Sequence, residues 1–239
     1  MTNLKPIVFF GCIHIGHEDA DLKMAKDYVQ WVKDHNALAI VLADTHECAL
    51  PHKTGMMFSQ NMTPQKQYEY GLKLFSPIAK HIVGACTGNH AGRARQVAGI
   101  DMDKCMADRL GYLDKYHPHQ GLVSVQVGKV NYRIAFKHGT GFGSNSFGNC
   151  LALMRSYPSA DICAASHTHE MATCKRGYWD VENDKRKFHE VTFINTGSLL
   201  NYPSYADEAG YPPQPKGFAI AWLSPTEKHV SVDVSGRLK

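Results

Sequence analysis

No apolar run in this chain approaches the roughly 20 residues that cross a bilayer as a helix, so no membrane span is expected. The opening Met1-Thr2-Asn3-Leu4-Lys5 lacks the shape of a signal peptide. No block of like charge stands out. The 26 basic and 22 acidic residues leave a net charge of only +4, which helps an anion approach but does not by itself argue for nucleic acid. There is no C-x-x-C pair, and the cysteines number seven, an odd count. That argues against both a disulfide framework and a zinc ribbon. Cys12, Cys48, Cys86, Cys105, Cys150, Cys163 and Cys174 read as free thiols in a reducing, cytoplasmic compartment. No internal repeat and no linker-like stretch divides the chain, so residues 1–239 read as a single domain long enough to bury a real core. What the chain has in excess is histidine, 14 residues of it, and several stand just after short apolar runs.

Ile7-Val8-Phe9-Phe10 reads as a buried strand. Gly11 and then Cys12-Ile13-His14 follow. In an extended chain, side chains two apart share a side. Cys12 and His14 are therefore expected together at the strand's carboxyl end, where open α/β sheets place their ligand crevices. Asp19 to Asn36 carries a helical pattern through Leu22, Ala25, Val29 and Val32. Ala37 to Leu42 is a second buried strand, ending at Ala43-Asp44-Thr45-His46-Glu47. Pro51 to Met62 has no period and reads as a loop. Thr63-Pro64 marks the start of a helix that runs to about Phe75. Ile82 to Cys86 is a third strand, ending at Thr87-Gly88-Asn89-His90, and a helix covers Asp101 to Leu110. Leu122 to Val127 and Val130 to Phe136 flank Gly128-Lys129 as a hairpin, which ends in Lys137-His138-Gly139. A helix near Phe147 to Ser156 precedes a strand through Ala165, followed by Ser166-His167-Thr168-His169. Phe188 to Ile194 is a strand closing on Asn195-Thr196-Gly197-Ser198, and Gly217 to Leu223 with His229 to Val234 forms a last hairpin. Strands alternate with helices first and hairpins dominate later, which predicts a mixed α/β sandwich.

Five strand ends thus each deliver residues of metal-ligand type: Cys12 and His14, Asp44, Asn89 and His90, His138, and His167 and His169. Imidazole, carboxylate and amide oxygen suit Zn²⁺, Mn²⁺ or Fe. In this order the chain resembles the calcineurin-like metallophosphoesterases, which carry Asp-x-His, Gly-Asp, Gly-Asn-His, a lone His and Gly-His-x-His. The matching pieces here are Cys12-Ile13-His14, Ala43-Asp44, Gly88-Asn89-His90, His138-Gly139 and Ser166-His167-Thr168-His169, and Asn195-Thr196-Gly197-Ser198 is similar to the family's late Asn-Pro-Gly-Ser turn. The resemblance spans about residues 7 to 200.

The resemblance implies an α/β fold, a four-layer sandwich of two mixed β-sheets flanked by helices, with two metal ions (Zn, Mn or Fe) at the carboxyl edges of the sheets. One ion would take Cys12, His14, Asp44 and His169, and the other Asp44, Asn89, His138 and His167, with Asp44 bridging. His90 would act beside them as a general acid or as a donor to the phosphoryl group, supported by Glu47, three residues after the bridging Asp. The implied activity is metal-dependent hydrolysis of a phosphate-ester substrate, as a phosphodiesterase using a metal-bound hydroxide. A metal-dependent nuclease, with nucleic acid as substrate, and a broad-specificity phosphatase or phosphotriesterase are the alternatives within the family. A non-catalytic binding scaffold with a degenerate metal site is a reading of another class, motivated by Cys12 and Ala91 and opposed by the other surviving motif residues. A cysteine hydrolase built on Cys12 is the third.

Departures from the pattern matter most at Cys12, which stands where the family has Asp. It reads as a soft thiolate ligand that favours zinc or iron, as an inert buried thiol, or as a nucleophile. Ala43 and Ser166 replace glycines, with little consequence expected, and Ala91 stands where Asp or Glu is usual. Arg93 and Arg95 could reach a substrate phosphate, although a solvated helix start is the favoured reading. His17, His46 and His52 read as surface histidines near the ligand loops, and Tyr68, Tyr70 and Phe75 as helix core. Met56 and Met57 read as packing or as a cover for the cleft, and Tyr202 and Tyr205 as loop residues that could stack on a substrate.

Overall fold

The computed structural model describes residues 4–50, 60–141, 147–182, 184–202, 204–208 and 210–238. His52, Met56 and Met57 lie outside the described residues, as does the side chain of Tyr205. In chain order the strands are β1 (Lys5–Phe10), β2 (Leu38–Val41), β3 (Ile82–Cys86), β4 (Tyr116–His117), β5 (Gln120–Val127), β6 (Val130–Lys137), β7 (Ile162–Ala165), β8 (Ala172–Glu182), β9 (Lys185–Asn195), β10 (Ile220–Leu223) and β11 (Val230–Asp233). The helices are α1 (Leu22–Asp34), α2 (Pro64–Phe75), α3 (Asn89–Ala98), α4 (Met102–Arg109), α5 (Gly148–Ser156) and α6 (Ser204–Glu208).

Two mixed sheets result. One has the order β11-β10-β1-β2-β3-β4 and the other β5-β6-β7-β9-β8. In β1 the apolar residues alternate between two cores. Ile7 and Phe9 face the second sheet, where they meet Ile134, Phe136, Ile162 and Ile194. Val8 and Phe10 face α1 and α2, among Tyr28, Val32, Leu74 and Phe75. A strand covered on both sides must be apolar throughout, which is why its sequence reads as an unbroken run. A third core packs α5 against the outer face of the second sheet through Cys150, Leu153, Cys163 and Phe193. The layers are thus helices, sheet, sheet and helix, the four-layer sandwich that the resemblance implies.

Local signals in the sequence place the helix starts. The Asp21 side chain accepts from the Met24 N–H to cap α1, and Thr63 caps α2 with Pro64 in its first turn. Tyr68 and Tyr70 pack against the core and Phe75 is within it. All seven cysteines are free. No helix among the described residues is long and apolar enough to cross a membrane. Two strands are absent from the sequence reading: the two-residue β4, and β8, which pairs antiparallel with β9 from Ala172↔Asn195 to Glu182↔Lys185. Much of this hairpin is open to solvent: Trp179 and Val181 are each 66% exposed and Phe188 56%. Among the described residues of β8, only Cys174 and Tyr178 pack against the third core, and only partly, so its sequence carries no clear alternation.

The topology sets the site. β1, β2 and β3 run parallel, and β6, β7 and β9 run parallel in the other sheet. Their carboxyl ends meet at one edge of the sandwich, and the turns that follow those ends carry the predicted ligands.

Candidate metal centre

Beyond β1 and β2 the backbone leaves regular strand geometry but stays zipped. Cys12 N–H donates to Ala43 O (3.0 Å), His14 N–H to Asp44 O (3.0 Å) and Ile15 N–H to Thr45 O (2.8 Å). Cys12 and His14 do meet in the site, though not through an extended chain. Both are left-handed, with φ of 53° and 55°, as are Ala43, Asp44, His167 and His169. Non-glycine residues avoid this region, and those that adopt it concentrate at functional sites. The Asn195–Ser198 turn braces the first of these segments: Thr196 Oγ1 donates to Phe9 O (2.7 Å) and Ser198 Oγ to Cys12 O (2.9 Å). Gly88 has no alternative, because a Cβ there would overlap Asp44 Oδ1.

The predicted ligands form two joined clusters. In the first, His14 Nε2 faces His169 Nε2 at 3.2 Å, with Cys12 Sγ close enough that the three atoms lie within 4.8 Å of one another. In the second, His138 Nε2 lies 2.9 Å from Asn89 Oδ1, 3.1 Å from His167 Nδ1 and 2.9 Å from Asp44 Oδ2. Cys12, Asp44 and His138 form a further group within the same 4.8 Å limit, so the clusters share a border. Cys12, His14, Asp44 and His138 are buried, whereas Asn89 is exposed and His90, His167 and His169 are half-buried. The site therefore opens on the side of the second cluster.

The outer ring nitrogens are committed elsewhere. His14 Nδ1–H donates to Glu47 Oε2 (2.9 Å), and His138 Nδ1–H donates to Leu42 O (2.8 Å). Each leaves an Nε2 lone pair pointing inward at another imidazole, and for His138 also at a carboxylate and an amide oxygen. Lone pairs that converge in this way call for a cation between them.

The electrostatics say the same. For Asp44, burial alone would raise the pKa, but the facing His138 and His90 outweigh it and hold the carboxylate well below its usual range. Burial lowers the pKa of His138, and the charge of Asp44 overcomes this to leave it raised. Burial, with His14 next, pushes His169 well down, and burial with His138 pushes His167 down to about 4. Burial, with Asp44 second, pushes the Cys12 thiol far up. Such a thiol is a poor nucleophile on its own, which counts against the cysteine-hydrolase reading. An adjacent cation would reverse that shift and hold the sulfur as thiolate.

His90 lies beside both clusters. Its Nδ1–H donates to Glu47 O (2.7 Å), with Glu47 Oε2 at 3.3 Å, and its Nε2 is 3.9 Å from Asp44 Oδ2. Burial opposes a charge on this ring, but Asp44 and Glu47 outweigh it and leave the pKa raised. Glu47 is 1% exposed and does more than support His90, since one carboxylate oxygen orients His14 as well.

Several residues depart from the sequence reading. Arg93 is not a solvated helix start. Its Nη1 donates to Glu47 O (3.1 Å) and Oε1 (3.3 Å), and its Nη2 to His90 Nε2 (3.2 Å). A signal existed: with α3 starting at Asn89, Arg93 is three residues from His90 on the same helix face. Arg95 does pair at the surface, with Asp101. His17 and His46 are buried, at 3% and 1% exposure, because they lie in ligand-bearing turns that the sandwich covers. Ser166 matters more than expected. Its buried Oγ lies 2.9 Å from His138 Nδ1, 3.0 Å from Leu42 O and 3.1 Å from His138 O, and Gly11 leaves it room. Ser166→Ala should lower the melting temperature by about 2–4 °C, the equivalent of about 1 kcal/mol from a lost buried hydrogen bond; an unchanged melting curve would show the hydroxyl to be idle.

No family model matches the sequence, and no curated protein matches it. Among solved structures, the chain is similar to a conserved uncharacterized protein, a predicted phosphoesterase, from Streptococcus pneumoniae, with 14% identity over 97% of this chain and 90% of that one and a TM-score of 0.43. It is similar to Vacuolar Protein Sorting 29 from Cryptosporidium parvum, with 14% identity over 96% and 97% and a TM-score of 0.45. It is also similar to a metallophosphoesterase from Sphaerobacter thermophilus, with 14% identity over 95% and 87% and a TM-score of 0.45. Likenesses this distant add nothing to what the site's own residues carry.

Proposed function

We propose that this chain is a metal-dependent phosphoester hydrolase, and specifically a phosphodiesterase, built on two metal ions that share Asp44. The observation that carries it is the pair of inward-facing lone-pair clusters with an anchored imidazole alongside. Cys12, His14, His169 and Asp44 would hold one ion, and Asp44, Asn89, His138 and His167 the other. Two cations so held supply the Lewis acidity that activates a water and neutralises charge on a phosphoryl group.

The chain's own residues do the rest. Glu47 keeps the His14 ring in one tautomer, and Leu42 O with Ser166 does the same for His138. The exposed Asn89 side lets an ester approach. His90, held at Nδ1 by Glu47, can carry a proton at Nε2 and deliver it to the departing oxygen. Arg93 donates to that same Nε2 when the ring is neutral, and a bound phosphoryl oxygen is the natural competitor for the guanidinium.

Metal analysis of the purified chain, run beside hydrolysis of mono-, di- and triester substrates with and without a chelator, tests this. Activity highest on a diester, lost with the chelator and restored by Zn²⁺, Mn²⁺ or iron, is expected. Bound metal without turnover on any ester points to a binding scaffold, and chelator-resistant turnover overturns the metal mechanism. His90→Ala should lower kcat by about 10²–10⁴-fold while metal content stays unchanged; metal loss in that variant would contradict the proton-donor role.

A further inference from the structure

A second polar cluster lies behind the site, against α4. Asp103, in the first turn of α4, is 4% exposed. Its Oδ2 accepts from Thr87 Oγ1 at 3.1 Å. Its Oδ1 lies 3.7 Å from Nδ1 of His46, whose side chain is fully buried. That gap exceeds a direct hydrogen bond, so the two groups meet as an electrostatic contact. Asp103 Oδ1, both ring nitrogens of His46 and the Tyr112 hydroxyl have no hydrogen-bond partner among the described residues. Met102 and Met106, which flank Asp103 on α4, are buried at 7% and 1% exposure, and the Tyr68 ring lies against His46.

A buried carboxylate with so few partners costs stability, and an apolar residue of similar size commonly packs better in such a place. Packing alone therefore does not explain Asp103. Its neighbours do. Thr87 immediately precedes Gly88-Asn89-His90, and His46 stands between the Asp44 turn and Glu47. The fold also makes room for His46, because a Cβ on Gly71 would come within 2.5 Å of its Nε2. One side chain on α4 thus reaches the turns after β2 and β3.

We propose that Asp103 is a positioning residue for the metal centre, holding the Asn89 turn through Thr87 and bracing the Asp44 turn through His46. The inference rests on the dinuclear reading above. Its mechanism is geometric: Asn89 Oδ1 meets His138 Nε2 at 2.9 Å and His90 N–H donates to Asp44 Oδ1 at 3.1 Å. A small swing of Thr87 opens both contacts. The cluster of Cys12, His14 and His169 is tied to that turn less directly, through Asp44 and through Glu47, whose Oε2 faces both His14 and His90.

The test is a Co²⁺ titration of the full-length, metal-free chain. The thiolate-to-cobalt charge-transfer band reports the Cys12 cluster, and total bound cobalt less that amount reports the other. Thr87→Val keeps the shape and removes the hydroxyl. It should weaken the second step about tenfold, at the low end of what outer hydrogen-bond partners contribute to metal affinity, and weaken the thiolate step clearly less. Asp103→Asn keeps an acceptor for Thr87 and should bind both ions nearly as the wild type does. Asp103→Leu releases both turns and should weaken both steps. If Asp103→Leu fails to fold, the other two variants still decide. Unchanged binding by Thr87→Val, or equal weakening of both its steps, overturns the positioning role alone. A wild-type chain that takes up no cobalt overturns the dinuclear reading and this inference with it.

Discussion

Asp44→Ala is expected to abolish activity and metal binding together, with bound metal falling from about two ions per chain to fewer than one. Asp44 is the one carboxylate between the clusters. It is 2% exposed, with Oδ2 against His138 Nε2 and Oδ1 receiving the His90 N–H. In the proposed dinuclear site, removing it would take away the negative charge that makes a pair of adjacent cations tolerable, together with the ligand they would share. Turnover should fall at least on the order of 10³-fold, equivalent to about 4 kcal/mol of lost transition-state stabilisation. A variant that retained both ions would show that Asp44 is not shared.

The metal-free protein gives an independent readout. The folded-state pKa of Asp44 is depressed, so its contribution to stability is present above the unfolded carboxylate range and lost as pH falls through the folded value. That of His138 is raised, so its contribution is complete below the unfolded imidazole pKa and lost as pH rises through the folded value. The metal-free wild type should therefore have both contributions in full only in the mildly acidic window above the unfolded carboxylate range and below the unfolded imidazole pKa. Asp44→Ala should lack that combined contribution, as melts across pH would show.

Cys12→Asp is the second large expected effect, and it falls on metal preference. A thiolate is one soft donor, with a bond to zinc of about 2.3 Å, whereas a carboxylate is hard. Relative affinity for Zn²⁺ over Mn²⁺ should drop about 10–100-fold, with manganese-supported turnover preserved or raised. The backbone does not stand in the way. Cys12 has φ of 53°, and Asp enters the left-handed region more readily than most residues. Competition between the two metals, followed by elemental analysis, separates the three readings of Cys12. A ligand gives the shift, an inert thiol gives no shift, and a nucleophile gives loss of turnover with every metal.

The sequence makes the chemistry more legible than its supports. Strands β1, β2, β3 and β7 are buried and so appear as short apolar runs, β6 shows as the second arm of a hairpin, and the candidate ligands follow these five strands directly. That is enough to pick out Cys12, His14, Asp44, Asn89, His138, His167 and His169, which the fold does gather at one edge. β8 is hidden because its residues are polar and largely solvent-facing, and its pairing with β9 depends on a partner rather than on its own pattern. Ser166, His46 and Asp103 are hidden for another reason. A hydroxyl, an imidazole or a carboxylate has no periodicity, and what it touches is decided by turns from other parts of the chain. Arg93 lies between the two cases: its spacing from His90 has meaning only once α3 is known to begin at Asn89.

The left-handed residues at the sheet edge have a consequence for the protein as a whole. Outside glycine, each such conformation costs about 1–2 kcal/mol, and Cys12, His14, Ala43, Asp44, His167 and His169 all adopt it. Their combined burden is comparable to the entire margin, typically about 5–15 kcal/mol, that separates a folded domain from its unfolded chain. The emptied protein should accordingly loosen first along this rim, and heat resistance becomes a direct gauge of how full the rim is.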